Sequence, residues 1–355
     1  MLLRAGEQYT LGQEARVEGR GIHSGSPALL SARPAAVDSG IILRRRDIAG
    51  EPELMVSPGR LKESRRSTTL QIRPDFSRLN LAGAQTETEP GSEIATCEHL
   101  LAALAATGID NVLLELEGAE LPSRDGSGNI FLSLLQEAGF KAQGQPRCYF
   151  IPERPIILGQ GEAQLLLLPP SFIDQLYDQS QNDQPQRARV KPQASADIEN
   201  IVNMANMNLT LELEYHLDYG PEPPGYQRAT FELDQRLKPQ ERLNNFAREL
   251  APARTFALKR EFRALKKQGL AGGAEAQEAL LFSHQGPNQK LRFINEPARH
   301  KLLDLLGDLY LAGPLIARVL AVRSGHRHNH ELARKIAAQR DQEKKQERND
   351  RDDSR

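Results

Sequence analysis

Two segments that lie far apart in the chain carry residues able to do hydrolytic chemistry together. Thr96-Cys97-Glu98-His99-Leu100-Leu101 sets a carboxylate beside an imidazole, and His300-Lys301-Leu302-Leu303-Asp304 sets an imidazole four residues before a carboxylate. Four residues of helix turn through about 400°, so His300 and Asp304 project from one face about one turn apart, and a single metal ion can take both. With eight His and 47 Asp+Glu in 355 residues, roughly one His-x-x-x-Asp/Glu pair is expected by chance. What lifts this pair above chance is its setting. Leu302, Leu303, Leu305, Leu306 and Leu309 bury the other faces, and His300, Lys301, Asp304 and Asp308 stand in an otherwise apolar helix.

The first segment supplies the remainder. Thr96 is expected to cap a helix, putting Glu98 and His99 in its first turn, where the positive end of the helix dipole favours an ionised carboxylate. His99, His300 and Asp304 would leave zinc with a net positive charge and an open fourth position, and Glu98 would reach the bound water. Taken alone, Glu98-His99 reads more readily as a capped helix start with a backbone-satisfied His. A third segment, Ser324-Gly325-His326-Arg327-His328-Asn329-His330, has two readings. Three His at alternate positions would line one face of a strand and could bind metal adventitiously. Alternatively His326, after a glycine that permits close backbone approach, is a general acid whose ring Asp308 orients and keeps cationic.

Stepping outward to the elements that must carry these groups, the chain divides into two blocks, each of strands followed by helical patterns. The first ends near Gly144-Gln145-Pro146. It holds a Gly-rich stretch from Gly19 to Gly25, extended segments at Gly40 to Arg45 and Ser67 to Ile72, and a helix from about Thr96 to Thr107. A strand at Asn111 to Leu116 and a helix at Phe131 to Ala138 complete it. The second opens with strands near Cys148 to Leu158 and Ala163 to Leu168 and resumes at Asn208 to Tyr215. Helices follow near Asn244 to Leu250, Phe256 to Gln268 and Ala298 to Tyr310. The Gln-, Asn- and Asp-rich residues 169–206 read as a disordered surface insertion, and 336–355 as a charged, fraying tail. The expected architecture is α+β: two similar domains, 1–144 and 145–335, each a sheet covered by helices on one face. No internal sequence repeat is evident.

Composition excludes several classes. Lys+Arg 46 against Asp+Glu 47 gives a net charge of -1, so nothing global recruits nucleic acid or anionic membrane. The apolar runs fall far below the roughly 20 residues that span a bilayer, and the start does not read as a signal peptide, so a cytoplasmic protein is expected. Two Cys, Cys97 and Cys148, are too few for a disulfide framework or thiolate zinc cluster, leaving His and carboxylate as metal donors.

At several places the residues resemble a known family. Gly21-Ile22-His23-Ser24-Gly25, Thr96 to Leu104, Gly108-Ile109-Asp110-Asn111, Asp125-Gly126-Ser127, Ala253-Arg254-Thr255-Phe256, Arg299 to Asp304, Gly307-Asp308-Leu309 and Ser324-Gly325-His326 are similar, in order, to the zinc-dependent UDP-3-O-acyl-N-acetylglucosamine deacetylases of lipid A synthesis. The resemblance covers residue 8 to about 335. It implies two α+β domains packed face to face with the active site between them. It implies one zinc per chain on His99, His300 and Asp304, with Glu98 as base and His326 as acid partnered by Asp308. Thr255 would help hold the oxyanion, and Phe256, Lys301 and His23 would contact the substrate.

The implied substrate is an acylated UDP-sugar, with residues 256–273 forming an apolar passage for the acyl chain. A monomer with at most transient proximity to the inner membrane is expected. The chain departs from the family after Gly272-Gly273, where Ala274 to Ala279 replaces a Ser-Leu-Asp-Asn-like segment, and its polar insertion is longer. Readings left open are a deacetylase of another N-acetyl sugar, a non-catalytic binding homologue, and ferrous iron in place of zinc.

Overall fold

The structure is a computed structural model that describes residues 1–62, 67–72, 93–170, 209–267 and 280–353. Two five-stranded sheets dominate it, and they share one topology. In the first, the order is Ala15–Arg20, Pro27–Pro34, Val112–Glu117, Ile41–Arg45, Glu53–Met55; in the second, Ile156–Gln160, Ala163–Leu168, Ala317–Val322, Thr210–Asp218, Tyr226–Asp234. Each sheet has two antiparallel hairpins, and the last strand in sequence is inserted between them. That strand runs antiparallel to one hairpin and parallel to the other.

The structure therefore contains a repeat that the residues do not announce. Alternation specifies it: Leu211, Leu213, Tyr215 and Leu217 are buried on one face of Thr210–Asp218, and any apolar side chain satisfies such a pattern. The outward faces carry charge, with Arg33, Arg44 and Arg46 around Glu115 on the first sheet, and Arg228 and Arg318 around Glu214 on the second. One hydrophobic core runs through both halves.

Between the sheets lie the helices that matter most. All ten residues of the Glu98–Thr107 helix are buried, as are thirteen of the fifteen in Glu296–Tyr310. Helices apolar on every side need cover on every side, and these two pack against each other along their length. In each half the helix of this pair comes just before the final strand or its preceding connection, so the two occupy equivalent places in the repeated topology. Gly307 makes the packing close: a Cβ there would overlap the Glu98 carbonyl and lie 3.1 Å from the Ala102 nitrogen.

Several expected bounds move. The helix expected from Asn244 begins at Pro239, where a proline fits the first turn because its missing N–H has no partner there anyway. The helix expected from Phe256 is a strand, Phe256–Leu258, followed by a helix, Lys259–Lys267. The strand pairs with Leu280–Ser283, a partner no local pattern announces. The charged end, expected as a helix giving way to a tail, is helical to Asp353: one helix runs from His326 to Asp353, its inner face anchored by Leu332, Ala333 and Ile336, with Arg4 paired to Glu347 at 2.8 Å. The polar stretch from residue 171 to 206 and the passage residues 268–273 lie outside the described residues. No described helix is long and apolar enough to cross a membrane.

Candidate active site

The packing of the two buried helices brings the distant segments together. His99 Nε2 lies 3.4 Å from Asp304 Oδ1, and His300 Nε2 lies 3.5 Å from the same oxygen. The two rings meet edge to face with centroids 5.0 Å apart. Ligand atoms about 2.0–2.1 Å from a tetrahedral zinc stand about 3.3–3.4 Å from one another, so these separations suit one ion. Asp304 Oδ1 is buried and has no hydrogen-bond partner, a costly state for a carboxylate oxygen unless a cation completes it. The donors present therefore fit a divalent metal.

The groups around this trio set its protonation. Burial pulls the His300 imidazole down to about 4, so the ring is neutral. Its Nδ1 is 3.2 Å from the Ala253 carbonyl oxygen, which selects the tautomer with the proton on Nδ1 and the Nε2 lone pair toward Asp304. Burial works against ionisation of Asp304, but the Lys301 ammonium beside it outweighs burial and holds the carboxyl well below the ordinary range. The Lys301 ammonium donates to Asp304 Oδ2 at 2.8 Å and leaves Oδ1 free.

Glu98 and His326 face each other beside the trio. His326 Nε2 is 4.0 Å from Glu98 Oε1 and 3.8 Å from Asp304 Oδ2, too far for direct hydrogen bonds and wide enough for a bridging water. Burial raises the Glu98 carboxyl above its ordinary value. Burial opposes charge on His326, yet the Asp308 carboxylate, accepting from Nδ1 at 2.8 Å, lifts the imidazole to about 9. The protonated His326 ring thus faces the Glu98 carboxyl. Among the described residues, three clusters of His and carboxylate could hold a metal by proximity. In the one formed by Asp308, His326 and His330, however, Thr68, His326, Asn329 and His330 already occupy the carboxylate.

The third segment is not a strand. A helix begins at His326, so His326, His328 and His330 do not share a face; His326 and His330, four apart, both turn toward Asp308. Gly325 serves no close approach, since a Cβ there would meet nothing within 4 Å. Thr96 also does not cap its helix. Cys97 holds the N-cap position without a side-chain bond, and the Thr96 hydroxyl donates instead to Glu120 Oε1 at 2.8 Å, with the Thr96 backbone at φ 61.

A cleft of about 690 Å³ opens over these groups. His23, Glu98, His99, Thr255, Phe256, His300, Lys301, Asp304 and His326 line it, and Asp308 lies behind His326. Leu217, Tyr219, Phe256, Ala257 and Phe262 make one side apolar, and Arg260, Lys301 and Arg323 bring positive charge. Thr255 is held at the rim by two bonds to one acceptor: its N–H and its hydroxyl donate to the Gly126 carbonyl at 2.8 and 2.9 Å. Gly126 has φ +74, where a side chain would be strained and would press on Thr255. Behind Thr255, the buried Arg254–Glu296 ion pair at 2.8 Å ties this loop to the start of the Glu296–Tyr310 helix.

Sequence reasoning missed Thr68 and Glu120. The Thr68 N–H donates to Glu98 Oε2 at 2.9 Å, a backbone contact to which the side chain gives no clue. Buried Glu120 accepts from the His23 and Ser24 N–H groups at 3.0 and 2.9 Å as well as from Thr96, and so fixes the turn that carries His23. A single Glu in a mixed-polarity run carries no pattern to single it out.

The family model for UDP-3-O-acyl N-acetylglycosamine deacetylase matches residues 8–177 and 171–338. The UDP-3-O-acyl-N-acetylglucosamine deacetylase of Thermosynechococcus vestitus is 35% identical over 340 residues, 95% of this chain and 96% of that protein. Those of Chlamydia abortus and Bdellovibrio bacteriovorus are 33% and 30% identical over 95% and 93% of this chain, and over 98% and 89% of their own lengths. With matches of this extent across both halves, the chain belongs to the UDP-3-O-acyl-N-acetylglucosamine deacetylase family.

Proposed function

We propose that this chain is a zinc-dependent hydrolase that removes the N-acetyl group of UDP-3-O-acyl-N-acetylglucosamine and releases acetate, the committed step of lipid A synthesis. The observation that carries the reading is the partnerless, buried Asp304 Oδ1 between His99 and His300, with Glu98 and His326 facing each other beside it. Two imidazoles and one carboxylate suit zinc. Bound there, the metal would supply a Lewis acid that acidifies water and draws charge from the acetyl carbonyl.

The chain's own residues then divide the work. Thr68 pins Glu98 Oε2, so Oε1 is the free oxygen that takes the proton from the attacking water as the new C–O bond forms. The Thr255 hydroxyl, 3.1 Å from His300 Nε2, lies at the edge of the trio, and turning its proton from Gly126 toward the acetyl carbonyl oxygen would stabilise the charge that develops there. As the C–N bond breaks, His326 gives its Nε2 proton to the leaving amine; Asp308 fixes the ring with Nδ1–H directed away. Phe256, Lys301 and His23 hold the sugar nucleotide, and the apolar side of the cleft takes the acyl chain. We assign residues 1–144 and 145–335 as the two domains, and a cytoplasmic monomer as the working form.

Metal content and acetate release from UDP-3-O-acyl-N-acetylglucosamine, with Glu98→Ala as control, test the proposal. Zinc-loaded protein that binds this compound without turning it over would reject it.

A further inference from the structure

Asp308 has a histidine on each side, and the proposed chemistry uses only one. Its Oδ2 accepts from His326 Nδ1 at 2.8 Å and from Asn329 Nδ2 at 2.9 Å. Its other oxygen, Oδ1, accepts from the Thr68 hydroxyl and lies 3.3 Å from His330 Nε2. His330 Nε2 is in turn 2.8 Å from Thr68 Oγ1. Thr68, Asp308 and His330 are all buried.

The direction of this chain follows from counting protons. A hydroxyl has one to give, and an ionised carboxylate can only accept. Thr68 therefore donates to Asp308 and must accept from His330, so His330 carries its proton on Nε2. The same Thr68 donates its backbone N–H to Glu98 Oε2 at 2.9 Å. One residue thus touches both the proposed base and the carboxylate that orients the proposed acid. These two catalytic groups stand on different helices, Glu98–Thr107 and His326–Asp353. Thr68 lies on neither, next to the short strand Thr69–Gln71.

The geometry points to Thr68 and His330 as a positioning pair, with His330 holding the Thr68 hydroxyl so that Thr68 sets Glu98 and, through Asp308, His326 in fixed relation across the reacting bond. The inference rests on the proposed roles of Glu98 and His326. Neither residue lines the cleft, and their side chains bond to Asp308 and to each other and not to His99, His300 or Asp304, so the pair acts on the rate of the chemical step and leaves binding alone. A drift of about 1 Å between such groups is enough to cost on the order of 100-fold in rate.

The test uses the zinc-loaded enzyme and four variants, each measured for kcat, KM, metal content and melting temperature. Thr68→Val and His330→Leu remove the hydroxyl and the donor. Thr68→Ser restores the hydroxyl, and His330→Gln restores an N–H near the place of Nε2. Expected are kcat losses of about 10- to 100-fold for Val and Leu, with KM and zinc content unchanged within about 2-fold, and recovery to within about 3-fold for Ser and Gln. In a His326→Ala background, His330→Leu should cost clearly less than it does in the parent enzyme, because the part of its effect that runs through Asp308 to that ring is gone and only the part through Thr68 to Glu98 remains.

Losses that persist in Ser and Gln, or that add fully to His326→Ala, would overturn the pairing. So would a change confined to KM or metal content. If His326→Ala alone leaves kcat intact, the proposed acid itself falls. If His326→Ala slows the enzyme while His330→Leu does not, only the pairing falls.

Discussion

Gly307 lies directly against the main chain of Glu98, with no room for even one methyl group between them. The two helices that carry the proposed metal ligands His99, His300 and Asp304 can approach only because position 307 lacks a side chain. An alanine would gain helix propensity, about 1 kcal/mol, but the overlap is with backbone and cannot be relieved by a rotamer change. Gly307→Ala is expected to lower unfolding stability by about 2–4 kcal/mol and to weaken zinc binding as His99 moves away from Asp304. Chemical denaturation and metal titration check both effects; a variant with unaltered stability and zinc affinity would contradict the packing argument.

Chelation should abolish acetate release, and zinc should restore it. Lys301→Met then asks how Asp304 is held, since the ammonium occupies Oδ2 and leaves Oδ1 for the ion. Loss of such an outer partner costs about 10- to 100-fold in metal affinity or activity. A competition assay with a chelator reads the affinity directly. Unchanged affinity with raised KM would leave Lys301 as a substrate contact alone.

The pH dependence of kcat/KM should be bell-shaped. Glu98 must be ionised to take a proton, and burial raises its pKa, so activity is lost as pH falls through a value above the ordinary glutamate range. His326 must be protonated, and with Asp308 beside it the ring holds its proton to about 9 in the metal-free state, so activity is lost as pH rises toward that value. Positive charge of a bound ion would draw both limbs downward. Asp308→Asn should move the basic limb down by about 1 pH unit or more, because the raising charge is gone. A basic limb that stays in place would assign it to another group. For stability the sign is that of a raised histidine: the His326–Asp308 contribution is fully present below the unfolded value near 6.5 and fades as pH rises through about 9.

Glu120 should be the structural anchor of the His23 turn. Replacing it by alanine strands two backbone N–H groups and the Thr96 hydroxyl, at about 2–4 kcal/mol of stability. Substrate KM should rise by about 10-fold if His23 contacts the substrate. Titration calorimetry with substrate or product separates this from a loss of folded protein.

The parts of this site that could be read from residues were those with a helical period. His300 and Asp304 are one turn apart whatever surrounds them, and the leucines between them fix which side they face. That the Glu98–Thr107 helix would meet them depended on a close approach at Gly307, which looks like a weak helix residue in the sequence. The Thr96 hydroxyl was assigned to a cap because capping is local; Glu120, outside that window, won it. The three histidines after Gly325 were laid on a strand because alternate spacing suggests one, but the segment is helical, and the period there joins His326 to His330. Thr68 acts partly through its amide, a group every residue but proline possesses. The matching strand order of the two sheets escaped notice because alternation preserves a topology without preserving identities.

That shared strand order bears on how such a site could arise. Glu98 and His99 come from one copy of the repeated unit, and His300, Asp304, Asp308 and His326 from the other. Each unit contributes what its counterpart lacks. A symmetric pair of identical units would offer two identical half-sites; two unlike units in one chain give a single seam with the proposed base on one side and the proposed acid on the other.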